Sequence, residues 1–191
     1  MRRRIVVLLA LAMLLGFALA PTSTSALSAR LNYDIADAFI GAGTGIPQVG
    51  ARAEADNGDI VSVSGGGTFN LGSGKATGGG TFLHTDSDGV VLGSGTWTAI
   101  GVDDFDFYGC GTGGLPVNFC GGALTLDVHL VGAGGAVEFD GLLRVDCLVG
   151  TAVPGGAVEG ITLDIPGAIN FDETIFEPSG LTLYVSHNKN G

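Results

Sequence analysis

The sequence predicts an all-β fold: an antiparallel barrel of about eight to ten strands, with a β-sandwich of the jelly-roll kind as the alternative. Short segments in which apolar and polar residues alternate recur along the chain, and glycine or proline ends most of them. Glycine is abundant, at 35 of 191 residues, but follows no collagen-like period. A glycine-aromatic phrase that occurs three times indicates a meander of three antiparallel strands.

The repeated phrase occupies residues 65–69, 78–82 and 93–97. Its copies are separated by Gly-Ser-Gly-Lys and by Asp-Ser-Asp-Gly, which are sequences typical of tight turns. The aromatic residues of successive copies are 13 and 15 positions apart, which matches one strand and one turn. A helical repeat would need a longer period. The glycine-rich meander is therefore the segment on which the barrel prediction depends.

The side chains of this meander separate into an apolar face and a polar face if Leu71 pairs with Ala76 and Thr85 with Val90. Side chains alternate between the two faces of a strand, so one face receives the aromatic residues and valines. The other face receives threonine, serine and glycine, as a solvated surface should. The core face then contains a row of Phe69, Gly78 and Trp97, followed by an all-glycine row of Gly67, Gly80 and Gly95.

Two interpretations of the all-glycine row remain open. Glycine can let the sheet bend and can leave bare backbone for aromatic rings to cover. Alternatively, the row is an empty floor inside a barrel, with room for a small apolar ligand. The ligand-contacting residues would then be Phe69, Phe82 and Trp97, together with His84, which this register buries between valines. A buried histidine is usually a hydrogen-bonded neutral side chain, and a catalytic or ligand-contacting role is the alternative.

The first 26 residues predict a cleaved signal peptide. Three arginines at positions 2–4 precede an apolar run over residues 5–20, and Thr24-Ser25-Ala26 suits cleavage. Residues 27–191 then form a single secreted domain, long enough to bury a substantial core. No later stretch is apolar and long enough to span a bilayer, so we expect an extracellular protein without membrane insertion.

The mature chain is strongly acidic. Three of the 8 basic residues lie in the predicted signal peptide, which leaves 5 basic against 19 acidic residues and a net charge of −14. Such a charge repels nucleic acid and anionic membranes, so we expect neither as a partner. It also serves solubility outside the cell.

Strands are expected elsewhere wherever apolar and polar residues alternate. The segment 123–149 is the clearest hairpin, and residues 41–50 and 109–122 are expected to be loops. The remaining expected strands are 31–35, 103–108, 158–165, 168–176 and 181–186.

The three cysteines allow one disulfide in an oxidising compartment. Cys110 and Cys120 bracket one flexible loop, so closing it costs little entropy. Extension of the 123–149 hairpin would instead bring Cys120 opposite Cys147. The shorter closure favours Cys110–Cys120, with Cys147 as a buried thiol.

The polar face of the 123–149 hairpin carries a candidate metal site. The expected register places His129 opposite Glu138 and Asp127 opposite Asp140. Carboxylate oxygens and an imidazole can bind a divalent cation. We expect no cofactor otherwise, with calcium as the alternative, because Asp86-Ser87-Asp88-Gly89 partly matches the pattern of a calcium-binding loop. The alternative is an ordinary solvated strand face, where charged residues usually lie.

Asp104 and Asp106 are candidate catalytic residues, as is His84. Residues two apart on a strand point the same way about 7 Å apart, a spacing that suits paired acid–base carboxylates. The chain contains no Gly-x-Ser-x-Gly, His-Glu-x-x-His, phosphate-loop or Cys-x-x-Cys motif.

Three functions follow from these features. We expect a secreted non-catalytic β domain that holds a small apolar ligand or serves as an extracellular structural module. A small barrel enzyme, a hydrolase or isomerase using His84 or Asp104 and Asp106, is the first alternative. A calcium-stabilised surface protein is the second.

Overall fold

The computed structural model describes residues 30–187 of the chain, and the predicted signal peptide, residues 1–26, lies outside the described residues. The described part contains eleven strands and one short helix. In chain order they are β1 (Arg30–Ile35), α1 (Ala38–Thr44), β2 (Ala51–Glu54), β3 (Ile60–Asn70), β4 (Lys75–Thr85), β5 (Val91–Cys110), β6 (Phe119–Gly132), β7 (Glu138–Cys147), β8 (Gly160–Ile165), β9 (Ile169–Phe171), β10 (Glu173–Ile175) and β11 (Thr182–Ser186).

All strand pairs are antiparallel, which confirms the all-β prediction. Six strands pair in a circuit, hereafter the pairing circuit: β1 with β3, β3 with β4, β4 with β5, β5 with β6, β6 with β11, and β11 with β1. Two extensions leave it, β7–β8–β9 from β6 and β2–β10 from β3. The turns that join β4 to β5, β6 to β7 and β8 to β9 lie at one end of the sheet. Within residues 30–187, no helix has the length and apolar character needed to cross a membrane.

The predicted meander is β3, β4 and β5, but its pairing is shifted by two residues from the expectation. Phe69 pairs with Ala76, and Phe82 lies between Val63 and Gly95. Between β3 and β4 the shift arises because Leu71 belongs to the first turn, where its carbonyl accepts a hydrogen bond from the Gly74 backbone at 3.4 Å. Between β4 and β5 it accompanies an irregularity in the pairing at His84 and Thr85. A shift of two positions leaves a side chain on its expected face and changes only its neighbours. The exception is the start of β5, where the pairing with β4 is irregular between His84 and Thr85.

The glycine row is covered by Tyr33 and is not an empty floor. Gly67 pairs with Gly78, and the Tyr33 hydroxyl lies 2.8 and 2.9 Å from the points where their Cβ atoms would stand. The ring of Tyr33 is fully buried, with its centroid 6.3 Å from the rings of both Phe69 and Trp97. The interpretation based on ring packing therefore holds for this part of the sheet.

The core is one cluster of buried side chains, to which the strands of the pairing circuit and both extensions contribute. The Phe69 ring lies 4.9 Å from that of Phe105 and 5.9 Å from that of Tyr184, both edge-on. The polar atoms of the buried rings have partners: the Trp97 indole donates to the Ser64 carbonyl at 3.1 Å, and the Tyr184 hydroxyl donates to the Val145 carbonyl at 2.7 Å. Aromatic bulk thus fills the space without leaving unpaired polar groups.

The expected loop over residues 41–50 is wrong in its first part, because α1 ends only at Thr44. The Asp37 side chain caps this helix by accepting from the Ile40 backbone at 3.0 Å, and Gly45 ends it with a φ of 71°. The helix has only 7 residues, too few for a visible apolar period.

Residues 103–108, expected as a strand of their own, are the far half of β5. Irregularities in the pairing of β5 with β6 bend this strand along its length.

The disulfide joins Cys110 and Cys120, as predicted, and Cys147 is a buried free thiol. The two bonded cysteines are directly opposite each other at the ends of β5 and β6. The bond therefore closes the long loop between these strands at its base. A structural disulfide is typical of proteins that fold in an oxidising compartment.

An acidic pair links β1 to the cap of α1. Burial, together with the nearby charge of Asp37 and a hydrogen bond to it, raises the pKa of Asp34 from its ordinary 3.8 to about 7. Between pH 3.8 and about 7, the native protein therefore holds a proton on Asp34 that the unfolded chain has already released. The resulting stabilisation is fully present below pH 3.8 and is lost as the pH rises through 7.

Gly67→Ala should destabilise the protein, because its Cβ would stand 2.7 Å from the Gly78 Cα and against the Thr77 carbonyl oxygen. Overpacking of this kind costs about 1–3 kcal/mol, a loss of roughly 2–12 °C in Tm for a domain of this size. Gly93→Ala is the matched control, since a Cβ there meets no atom within 4 Å. Thermal unfolding of both variants checks this, and equal losses would contradict it.

Asp34→Asn should flatten the pH dependence of stability between about pH 4 and pH 8, because an amide stays neutral throughout this range. The unsubstituted protein should lose Tm over the same range. Melting curves at a series of pH values measure both slopes, and Asp103→Asn, at an exposed aspartate, should keep the slope of the unsubstituted protein. Parallel curves for Asp34→Asn and the unsubstituted protein would refute the role of Asp34.

Candidate functional site

An apolar cavity of about 700 Å³ opens at the end of the sheet where the β4–β5, β6–β7 and β8–β9 turns lie. Each of these hairpins contributes side chains to it, and β3 adds Val61. The lining consists of Val61, Phe82, His84, Val91, Leu92, Gly93, Ser94, Leu130, Gly132, Ala133, Val137, Phe139, Leu163, Ile165, Ala168, Ile169 and Phe171.

Strand alternation and glycine together create this space. Phe82 and His84 point inward from β4, two residues apart on one face. Their direct partners on β5 are Gly95 and Gly93. A Cβ on Gly95 would lie 2.8 Å from the Phe82 ring, so this ring lies over bare backbone, whereas a Cβ on Gly93 would meet nothing within 4 Å. The room beside His84 is thus left unfilled.

The mouth of the cavity is apolar as well. Val91 and Leu92 on β5 are 58% and 54% exposed, and Val137 and Phe139 across the opening are 51% and 43% exposed. Large apolar side chains gathered in this way around a concavity are typical of surfaces that contact a ligand or partner. An entering apolar molecule would cover this exposed surface.

His84 provides the one titratable side chain among the described residues that line the cavity. Its Nε2 lies 3.0 Å from Oδ2 of Asp59, in the turn between β2 and β3, and the two side chains are 25% and 15% exposed. The imidazole also packs edge-on against Phe171, with ring centroids 5.3 Å apart. The structure therefore holds a histidine in a fixed orientation at the edge of an apolar space.

Nδ1 of His84 has no hydrogen-bond partner among residues 30–187. No fully buried side-chain nitrogen or oxygen in that part of the chain lacks a partner. Nδ1 is therefore not fully buried.

The four residues expected to contact a ligand separate into two groups. Phe82 and His84 line the cavity, and His84 pairs with Val61 and Gly93, so the expected contacts with Val63 and Val91 shift with the register. Phe69 and Trp97 do not line it, because they are 1% and 2% exposed and pack against Tyr33 inside the pairing circuit.

The aspartate pair is not brought to the cavity. Asp104 and Asp106 lie exposed on the far half of β5, opposite Thr125 and Ala123 of β6. His84 instead faces the near end of β5. The three candidate catalytic residues therefore do not form one site.

The expected metal site is corrected by the register of β6 and β7. Asp140 and not Glu138 is opposite His129, and Asp127 is opposite Leu142. The His129 ring approaches both Asp140, at 2.8 Å from Nδ1, and Glu138, at 3.6 Å from Nε2. No group of three or more His, Cys, Asp or Glu side chains within residues 30–187 is arranged to hold a metal ion. The residues form a half-exposed histidine–carboxylate cluster on a solvated strand face.

A second concavity, of about 410 Å³, lies between α1, β11 and the loops that follow β7. Its charged residue, Glu159, accepts hydrogen bonds from the Leu148 backbone at 2.6 Å and from the backbone and hydroxyl of Thr182 at 2.9 and 2.8 Å. Burial raises the pKa of Glu159, while these donors act in the opposite direction. Both carboxylate oxygens are thus occupied in fastening β11 to the loop after β7.

Sequence reasoning missed Asp59 and the lining from β6 to β9, including Leu130, Phe139 and Leu163. Asp59 lies in the Asp56-Asn57-Gly58-Asp59 turn, whose composition marks a hairpin and nothing more. Leucine and phenylalanine on an inward strand face look alike whether they line a cavity or fill a core. The signal that identifies them is the packing of strands distant in sequence.

Cys147 should resist alkylation in the native protein. Burial raises the pKa of its thiol to about 12, so it presents almost no thiolate at about pH 8. Iodoacetamide followed by intact-mass measurement should show no adduct before unfolding and one after unfolding in denaturant. Unfolding with reduction, as the control, should label all 3 cysteines. Rapid labelling of the native chain would contradict the buried position.

No family model matches this chain, and neither a curated protein nor a solved structure matches it. Any function must therefore be argued from the chain's own side chains. These provide an apolar cavity with an apolar mouth and one oriented imidazole at its edge.

Proposed function

We propose that the protein is a secreted, non-catalytic β-barrel protein that holds a small apolar ligand in the cavity beside His84. The observation that carries the proposal is the cavity itself, about 700 Å³ in volume and lined mostly by aliphatic and aromatic side chains. Small-molecule sites in proteins have volumes of about 300–1,000 Å³ and this kind of lining, with a few placed polar groups. Transfer of an apolar molecule from water into such a site is favourable in proportion to the area it buries.

The pairing circuit supports the barrel. Strands that return to the first strand leave no unpaired edge within the circuit, and glycine on the inner face allows the required bending. The cavity is lined by the meander, by the end of β6 and by the extension β7–β9.

Secretion is supported by three independent features. The N-terminal sequence has a basic start followed by an apolar run, the chain is acidic, and one disulfide is formed. A carrier or receptor of small apolar molecules outside the cell has use for such a stable, closed scaffold.

Binding is supported over catalysis by the composition of the cavity lining. His84 is the only lining residue described with an acid–base side chain, and the lining contains no cysteine. Acid–base catalysis in the cavity would therefore rest on His84 alone, unless a second acid–base group lay within its reach. Asp104 and Asp106 lie elsewhere on β5 and do not supply it.

Gly93→Phe should weaken binding strongly, because its side chain would enter the unfilled space beside His84. The probe is phenylnaphthylamine, an uncharged dye that fluoresces in apolar surroundings, added to lipid-extracted protein. We expect saturable binding to the unsubstituted protein and a loss of at least about tenfold in affinity for Gly93→Phe, or more than about 1.4 kcal/mol.

Thr98→Phe is the matched control, because Thr98 is an exposed residue of the same strand that does not line the cavity. It should bind the dye as the unsubstituted protein does. Absence of saturable binding to the unsubstituted protein, or equal binding to Gly93→Phe, would reject the proposal in favour of a structural module.

A further inference from the structure

The hydrogen on the His84 ring is placed by its partner. Nε2 faces the Asp59 carboxylate at 3.0 Å, and a carboxylate can only accept a hydrogen bond, so Nε2 carries a hydrogen. In the neutral ring the second nitrogen, Nδ1, is then a lone-pair acceptor. The imidazole that lines the cavity thus carries one acceptor nitrogen with no hydrogen-bond partner among the described residues.

Both contacts that orient the ring are themselves held in place. The Asp59 backbone N–H donates to the Asn57 side chain at 3.1 Å, and its carbonyl accepts from the Ala55 backbone at 2.9 Å. On its other side the imidazole packs edge-on against Phe171, which is buried. The ring cannot turn to offer a donor without losing its contact with Asp59.

We propose that the ligand of this cavity is an apolar molecule with one hydroxyl group, an alcohol or phenol, whose O–H donates a hydrogen bond to Nδ1 of His84. The inference rests on the proposed function and specifies its ligand class. A purely hydrocarbon ligand would remove water from Nδ1 and leave that acceptor without a partner, which is unfavourable. A hydroxyl supplies the missing donor, while the rest of the molecule covers the apolar lining.

The charges around the ring disfavour an anionic ligand. A carboxylate at Nδ1 would lie on the same ring that contacts the Asp59 carboxylate, in a chain with 19 acidic residues. Two carboxylates on opposite sides of one imidazole ring, in an apolar site, repel each other strongly. An uncharged donor avoids this repulsion.

The test compares three ligands of similar shape: para-hexylphenol, its methyl ether and para-hexylbenzoate. Each displaces phenylnaphthylamine from the full-length mature protein at a mildly alkaline pH. The phenol-to-ether affinity ratio is measured for the unsubstituted protein and for His84→Phe. We expect this ratio to be about 3- to 10-fold higher in the unsubstituted protein, the effect of one hydrogen bond. The ether should bind both proteins with similar affinity.

Asp59→Asn tests the positioning of the ring separately. An amide can donate as well as accept, so the Nε2 hydrogen is no longer required and the phenol preference should fall. Nitrogen NMR shifts of His84 give an independent readout: Nδ1 should be of the unprotonated type in the unsubstituted protein and should respond to the phenol but not to the ether. A protonated Nδ1 in the unliganded protein would overturn the proposal.

The outcomes separate the ligand class from the binding function. Equal phenol-to-ether ratios in the unsubstituted protein and His84→Phe would overturn the hydroxyl proposal, although displacement of the dye would still show an apolar site. Tightest binding of the benzoate would overturn it in favour of an anion site. Failure of all three ligands to displace the dye from a protein that binds it would overturn the hydroxyl proposal as well, whereas failure of the dye itself to bind would reject the proposed function.

Discussion

The close approach of the β3 and β4 backbones at paired glycines is the constraint on which the rest of the structure depends. At Gly65 and Gly67 a Cβ would stand 2.7 Å from the Cα of the glycine opposite, Gly80 or Gly78. Only hydrogen fits in these positions, and a sheet without side chains on its inner face can bend sharply. The Tyr33 ring enters the space that the glycines leave, so bending and core filling are satisfied together.

Glycine on the inner face of the meander leaves space in two places, one of which is filled and one of which stays empty. Beside Gly67 and Gly78 the space is filled by Tyr33, which contacts Phe69 and Trp97 and completes a close-packed core. No ring fills the space beside Gly93, because Phe82 covers Gly95 and His84 is hydrogen-bonded to Asp59. The cavity is thus the part of this inner face that no side chain fills. Its titratable group is the His84 imidazole, which Asp59 holds at the cavity edge.

The loops have two separate roles, forming the cavity and holding the strands together. The turn that contains Asp59 orients the imidazole, and the hairpins after β4 and β6 carry the apolar mouth through Val91 and Val137. At the other side of the molecule, Glu159 and the disulfide fasten loops and β11 with hydrogen bonds and a covalent bond. Binding and fastening thus use separate groups of residues.

The sequence by itself determined the all-β class, the meander and the face of most meander side chains, since alternation has a period of two and survives a two-residue shift. Leu92 is an exception, because the pairing of β4 with β5 is irregular beside it. It also determined the disulfide, because the shorter loop closes more easily. Only the tertiary structure decided the register, which depends on whether Leu71 belongs to the turn or the strand. It likewise decided which aromatics are core and which line the cavity: Phe69 meets Tyr33, whereas Phe82 faces Gly95 and open space. The partner of His84 comes from another hairpin, and local alternation carries no information about contacts between hairpins.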